Sequence, residues 1–148
     1  MTLSFTSLST SHVESIMPIE ESCHSHPWSK KLLTGCIGGR YFGEIAMLDD
    51  EVIGFYIADK VADESTLMDI CIKPSFQGQG LGKKLLQQYI NEATTRECQT
   101  LWLEVRASNT AAQLLYINLG YSQTGRRVAY YPKEVGYEDA LVMQKTLT

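Results

Sequence analysis

One stretch constrains this chain more than any other: Gln77-Gly78-Gln79-Gly80-Leu81-Gly82-Lys83-Lys84. Before it runs an apolar segment, Leu67 to Ile72, stopped by Lys73-Pro74. After it, a long helix is predicted from Gly82 to Glu97, with Leu81, Leu85, Leu86, Tyr89 and Ile90 as its buried stripe. A strand therefore feeds a helix through a glycine turn. Glycine admits positive φ and lets a ligand come close to the backbone amides. The first amides of a helix lack internal partners, and the helix dipole is positive there. Together these features suit an anion, most naturally a phosphate or pyrophosphate, with Lys83 and Lys84 adding charge. Two familiar phosphate loops are excluded. For a Walker loop, Gly78 and Gly82 are one residue too close and Lys84 replaces the magnesium-binding hydroxyl. For a dinucleotide fingerprint, the alternation Gly78, Gly80, Gly82 has the wrong spacing. A turn that merely joins two elements needs fewer glycines.

The flanking sequence supplies the other elements. Leu3 to Leu8 alternates and reads as an edge strand. Ser11 with Glu14 forms a capping-box pattern ahead of a helix carrying Val13, Ile16, Met17 and Glu20, which Pro18 kinks or shortens. His26-Pro27-Trp28 is a break, and Ser29 caps a helix from Lys30 to Ile37 that Gly35, Gly38 and Gly39 stop. Tyr41 to Leu48 and Val52 to Ala58 flank a hairpin turn at Asp49-Asp50-Glu51, and Gly54 signals a bulge or a close backbone approach. Leu101 to Val105 is a short strand, and Asn109 to Leu119 is a helix ended by Gly120. Tyr121 to Tyr130 and Asp139 to Lys145 read as a closing strand pair. This order predicts an α/β layered domain over residues 1–148, with a right-handed parallel crossover between Leu67 and Val105.

Composition narrows the class. Of 148 residues, 44% are hydrophobic and 20% charged, which is ordinary for a globular chain. The net charge of −4 argues against direct nucleic-acid binding or an anionic membrane surface, while leaving a basic peptide or amine open as partner. No apolar run reaches the roughly 20 residues of a membrane helix. No signal peptide is visible. Cys23, Cys36, Cys71 and Cys98 lie far apart, so neither a zinc cluster nor a disulfide framework is expected, and the setting reads as a reducing cytoplasm. His24 and His26, beside Cys23, are read as loop residues, with no carboxylate or third ligand at helical spacing. No metal is expected.

Gln77-x-x-Gly80-x-Gly82 matches the Q/R-x-x-G-x-G/A signature of the GNAT acetyltransferases. Four further segments strengthen the resemblance: His26-Pro27-Trp28-Ser29, Leu101-Trp102-Leu103-Glu104-Val105-Arg106-Ala107-Ser108-Asn109, Tyr116 with Gly120-Tyr121, and Tyr130-Tyr131-Pro132 with Glu138-Asp139-Ala140. With these, the chain resembles the bacterial RimI-type ribosomal-protein-alanine N-acetyltransferases. The glycine signature specifies only the superfamily; Trp-Leu-Glu-Val-Arg-x-Ser-Asn is far more specific to N-terminal acetyltransferases. The resemblance implies a GNAT fold, a mixed, mostly antiparallel twisted sheet of about seven strands flanked by about four helices. It also implies acetyl-CoA as co-substrate and direct transfer in a ternary complex to the N-terminal alanine of a small-subunit ribosomal protein.

That reaction is attack of a free amine on a thioester. An α-amino group titrates near ~8 and a lysine near ~10.4, so an N-terminus is the easier amine to deprotonate near neutral pH. Alternation sets Glu104 and Trp102 on the face opposite Leu101, Leu103 and Val105. A carboxylate in an apolar strand is costly unless paired or functional. The residues alone leave Glu104 open between a base and a wet strand end; the resemblance implies the general base, direct or through water. Spacing alone makes Tyr116 a core tyrosine, whereas the resemblance implies the general acid for the departing thiolate. Asn109 lies two turns, about 10 Å, from Tyr116 on the same face and is placed on the pantetheine arm. The resemblance further assigns the backbone of Ile70, Cys71 and Ile72 to the pantetheine and acetyl carbonyl. It assigns Gln77, Gly78, Gln79, Gly80, Leu81, Gly82 and Lys83 to the pyrophosphate. An acyl-Cys71 route is disfavoured, since no histidine lies nearby in sequence to activate it. Trp28, Tyr130 and Tyr131 are candidates for the peptide site or for plain packing. Asp69, Glu138 and Asp139 are read as a solvated face that a basic substrate could also meet. The rival functions are a GNAT enzyme for another protein N-terminus, a lysine or a small amine, and a non-catalytic acyl-CoA-binding module. Oligomeric state is not read from the sequence.

Overall fold

Hydrophobic alternation and two glycine-marked breaks divide the chain as the sequence suggests. The computed structural model describes residues 2–147. It places β1 at Leu3–Ser7, α1 at Val13–Cys23, α2 at Lys30–Gly35, β2 at Tyr41–Leu48 and β3 at Glu51–Val61. β4 follows at Glu64–Ile72, α3 at Leu81–Thr95, β5 at Thr100–Arg106, α4 at Thr110–Asn118, β6 at Ser122–Pro132 and β7 at Tyr137–Thr146. Among the described residues the strands form one seven-stranded sheet in the order β1-β2-β3-β4-β5-β7-β6. β4 and β5 are parallel, joined through α3; the other neighbours are antiparallel. This is the mixed, mostly antiparallel architecture expected, with β1 at an edge. Among the described residues no helix is long and apolar enough to cross a membrane.

Two local expectations need correction. The first helical segment opens with a 3₁₀ turn at Thr10–His12 whose cap is Ser9, not Ser11; the Ser9 N–H donates to His12 Nδ1 at 3.0 Å. Pro18 does not shorten α1, which runs on to Cys23. Pro18 lies on the exposed side, where the helix tolerates a missing backbone bond best. Elsewhere the local chemistry holds: Ser29 Oγ accepts the Leu32 N–H at 3.1 Å and starts α2.

Each sheet face carries its own core. On one, Leu81, Leu85, Leu86, Tyr89 and Ile90 of α3, with Tyr116 of α4, pack on Tyr56, Leu101, Leu103 and Val105. On the other, Val13, Ile16 and Ile19 of α1 and Leu33 of α2 pack on Ile45, Phe55, Ile57 and Cys71.

The sheet is irregular at β4. Ala58 pairs with Leu67 and Ile57 with Asp69, so Met68 is an extra residue in a bulge. The bulge resets the alternation. Leu67 faces α3, whereas Cys71 faces α1. At the same place β4 leaves β5. Their pairing runs from Glu64 with Thr100 to Leu67 with Leu103, and among the described residues no pair follows, although β4 continues to Ile72 and β5 to Arg106. The facing backbone edges beyond that point are open to another hydrogen-bonding partner. Gly54, opposite Ile72, is the close approach its sequence position suggests: a Cβ there would lie 2.5 Å from the Cys71 carbonyl oxygen.

Candidate active site

The glycine turn begins after a short 3₁₀ turn, Pro74–Phe76. Gly78 and Gly80 have φ of +80° and +79°, a region that side chains other than glycine's adopt only with strain. Gly80 caps α3, and Lys84 is the first residue bonded back into the helix, to Gly80 O at 3.3 Å. The amides before it have no helical carbonyl to reach. Gln77 Nε2 donates to the Ile72 carbonyl at 2.8 Å and ties the turn to the end of β4. Gly82 is different. Its φ is ordinary for a helix, and the nearest atom to an added Cβ would be Ile72 Cγ1 at 4.0 Å. Nothing inside the chain requires glycine there. Lys83 is exposed beside it.

The gap between the parted strands lies next to this turn. Ile70, Cys71 and Ile72 form its β4 side. Glu104 stands on β5 one residue past the last β4–β5 pair, on the face opposite the buried Leu101, Leu103 and Val105. Arg127 Nε donates to Glu104 Oε1 at 2.6 Å, and the same guanidinium lies over the Tyr130 ring, 5.3 Å from its centroid. Tyr116 is 7% exposed and tilts against Tyr121, ring centroids 5.8 Å apart. Burial pushes its phenol above the ordinary value, and Tyr131, Asp69 and Cys71 add to that push. Tyr116 therefore belongs to the α3-side core and also lies within electrostatic reach of the α1 side. Asn109 caps α4 rather than standing within it; its Oδ1 accepts the Ala112 N–H at 3.2 Å.

On the α1 face the structure assembles residues that the sequence reading left apart. Contrary to the expectation of no carboxylate at helical spacing, Glu20 lies four residues before His24, and it is 1% exposed. Its Oε2 accepts the Trp28 N–H at 2.9 Å, locking the α1–α2 loop. His24 Nε2 is 3.0 Å from Asp69 Oδ1 and 3.1 Å from Cys71 Sγ, so a histidine does reach Cys71, from 47 residues away. Asp69 is buried rather than part of a solvated face. Burial pushes the Glu20 carboxyl up to about 8, reinforced by Asp69. Burial also works against the Asp69 charge, yet the hydrogen bond with His24 holds it below the usual range. The hydrogen bond to Asp69 raises His24. The hydrogen bond with Cys23, followed by burial, pushes the Cys71 thiol far up, while the same bond draws Cys23 down to about 7. His26 stays outside this group, with Nδ1 at 3.1 Å from Ser25 Oγ.

Trp28 is half-buried against the α1-side core. Tyr130 and Tyr131 sit where β6 falls out of register with β7, between Arg127 and Tyr131, with ring centroids 5.0 Å apart. Ala129 takes φ +51°, its N–H held by Asp139 Oδ1 at 2.9 Å. The Tyr131 phenol is pushed up to about 12, first by burial and then by the Glu104 charge. Glu138 and Asp139 are not a free acidic face: Arg106 Nη1 bonds Glu138 at 3.1 Å and Arg126 Nη1 bonds Asp139 at 2.6 Å.

Known proteins share this fold. Residues 12–121 match the acetyltransferase (GNAT) family. The chain is 45% identical over 136 residues to the ribosomal protein bS18-alanine N-acetyltransferase of Salmonella typhimurium strain LT2, covering 92% of each chain. The crystal structure of the ribosomal-protein-S18-alanine N-acetyltransferase from Escherichia coli superposes with a TM-score of 0.96 at 39% identity, over 99% of this chain and 95% of that one. A chain of the NatC complex bound to Gag peptide and CoA shares the fold at 21% identity, with a TM-score of 0.84 and full coverage of both chains. With the glycine turn, the parted strands and these likenesses in agreement, the chain belongs to the GNAT family of acetyltransferases.

Proposed function

We propose that this chain is an acetyl-CoA-dependent N-α-acetyltransferase that acetylates the N-terminal alanine of the small-subunit ribosomal protein bS18. The observation that carries the reading is the position of Glu104, one residue beyond the last β4–β5 pair, at the gap that the glycine turn adjoins. The amides from Gln77 to Lys83 hold the pyrophosphate. The pantetheine arm lies along the open edge of Ile70, Cys71 and Ile72 as an additional strand would, with Asn109 beside it. Backbone donors there polarise the acetyl carbonyl. The substrate's first residues enter between Trp28 and the Tyr130-Tyr131 segment.

The amine attacks the thioester carbon. A C–N bond forms, the C–S bond breaks, and the amine proton passes to Glu104, directly or through water. Tyr116 returns a proton to the thiolate, and its raised phenol keeps that proton available at neutral pH. Transfer is direct: although His24 reaches Cys71, that thiol is held protonated and is a poor nucleophile. The enzyme works in the cytoplasm and needs no nucleic acid or membrane.

Steady-state assays with a basic peptide that begins with alanine test the reading. Glu104→Gln and Tyr116→Phe are each expected to lower kcat by about 100-fold or more. Full kcat in either variant removes that role. A polyamine or a lysine side chain acetylated faster than the peptide overturns the substrate assignment, and CoA binding without turnover overturns the catalytic one.

A further inference from the structure

The α1-side cluster has a geometry that hydrogen bonding alone leaves incomplete. Four donor side chains converge: the Glu20 carboxylate, the His24 imidazole, the Asp69 carboxylate and the Cys71 sulfur. One ligand atom from each lies within 4.8 Å of all the others. Five of the six edges are 3.0 Å from His24 to Asp69, 3.1 Å from His24 to Cys71, 3.4 Å from Cys71 to Asp69, 3.5 Å from Cys71 to Glu20 and 3.6 Å from His24 to Glu20, and the sixth, Glu20 to Asp69, is within 4.8 Å. A tetrahedral zinc site with bonds of about 2.0–2.3 Å has donor-to-donor edges of about 3.3–3.5 Å. A second observation points the same way. Asp69 is 8% exposed, and its Oδ2 is shielded from solvent with no hydrogen-bond partner. A buried carboxylate oxygen left bare is costly, and a cation satisfies it.

From this geometry we infer that Glu20, His24, Asp69 and Cys71 form a binding site for a divalent cation of the zinc class. The donor set selects the ion: one imidazole, one thiolate and two carboxylates suit a borderline-soft metal and disfavour magnesium or calcium, which take oxygen ligands alone. Binding takes Glu20, His24 and Cys71 in their deprotonated forms, so the protons they hold pass to solvent, and metal bonds replace the contacts of Cys71 with Glu20 and Asp69. Because Glu20 and His24 stand at and just beyond the end of α1 while Asp69 and Cys71 stand on β4, the ion clamps the helix to the strand beside the gap. The Met68 bulge is what makes the site possible, since it brings β4's Asp69 and Cys71 to the α1 side. The inference stands independently of the acetyl-transfer reading.

Cobalt(II) is the probe, added to the full chain after chelator treatment. One equivalent is expected to give a near-ultraviolet thiolate-to-metal charge-transfer band with visible bands of a four-coordinate ion, displaced by zinc. Cys71→Ser is expected to abolish the charge-transfer band, whereas Cys23→Ser keeps it. Asp69→Asn, which preserves shape, is expected to weaken binding by about 100-fold and to remove the rise in melting temperature that zinc gives the unaltered chain. No band in the unaltered chain, a band that survives in Cys71→Ser, or a band lost with Cys23 instead overturns the inference. The unaltered chain alone suffices for the first of these, whether or not a variant folds.

Discussion

Tyr116 shows how one side chain can serve both packing and chemistry. It is buried against Tyr121, as an aromatic at helical spacing ordinarily is, and that burial keeps its phenol protonated. The sign is direct: raising an acid's titration point extends the pH range in which it holds its proton. Activity is therefore expected to show no loss attributable to Tyr116 between neutral pH and its ordinary value of 10. A kcat profile over that range, compared between the unaltered chain and Tyr116→Phe, checks this. A basic limb below pH 10 that disappears in the variant contradicts it. Glu104 is a different case, since its carboxylate is held by Arg127, 23 residues further along the chain and on another strand. Alternation revealed the face Glu104 occupies but carried no trace of that pair.

Between the elements, the glycines separate into two kinds, and the kinds predict opposite outcomes. Gly54 has no room: Gly54→Ala sets a Cβ against the Cys71 carbonyl and is expected to destabilise the chain by about 1–3 kcal/mol. Gly82 has room, so Gly82→Ala is expected to leave stability unchanged or raise it by up to about 1 kcal/mol, because alanine suits a helix better. The signature that the turn matches admits alanine at this position, so the KM for acetyl-CoA is expected to be unchanged. Denaturant melts and steady-state kinetics on both variants check the pair together. Boundaries such as Tyr41–Leu48, the Ser29 cap and the α3 stripe were legible because each rests on local chemistry. The Met68 bulge was not, since nothing in Leu67-Met68-Asp69 marks an extra residue; only the register with β3 reveals it. The Glu20–His24 spacing was in plain sight, yet its meaning depends on Asp69 and Cys71, which come from 45 and 47 residues beyond His24.

Among the described residues the sheet is continuous on either side of the β4–β5 parting, so a ligand seated there bridges β4 and β5 where the chain itself does not. Binding to the folded state alone stabilises by about 2.7 kcal/mol at roughly a hundredfold excess over Kd. For a chain of this size each kcal/mol is worth about 2–4 °C, so saturating acetyl-CoA is expected to raise the melting temperature by about 5–10 °C. Differential scanning fluorimetry reads it, and no shift at saturation contradicts ligand binding at the parting. The bulge beside the parting also governs parity along β4. Replacing the side chain of Met68 leaves the count of residues intact, but excising the residue exchanges inside for outside at every position up to Ile72, turning Asp69 and Cys71 toward α3 and Ile70 toward α1. Position 68 is thus indifferent to what stands there and intolerant of nothing standing there, a site where length, not chemistry, carries the instruction.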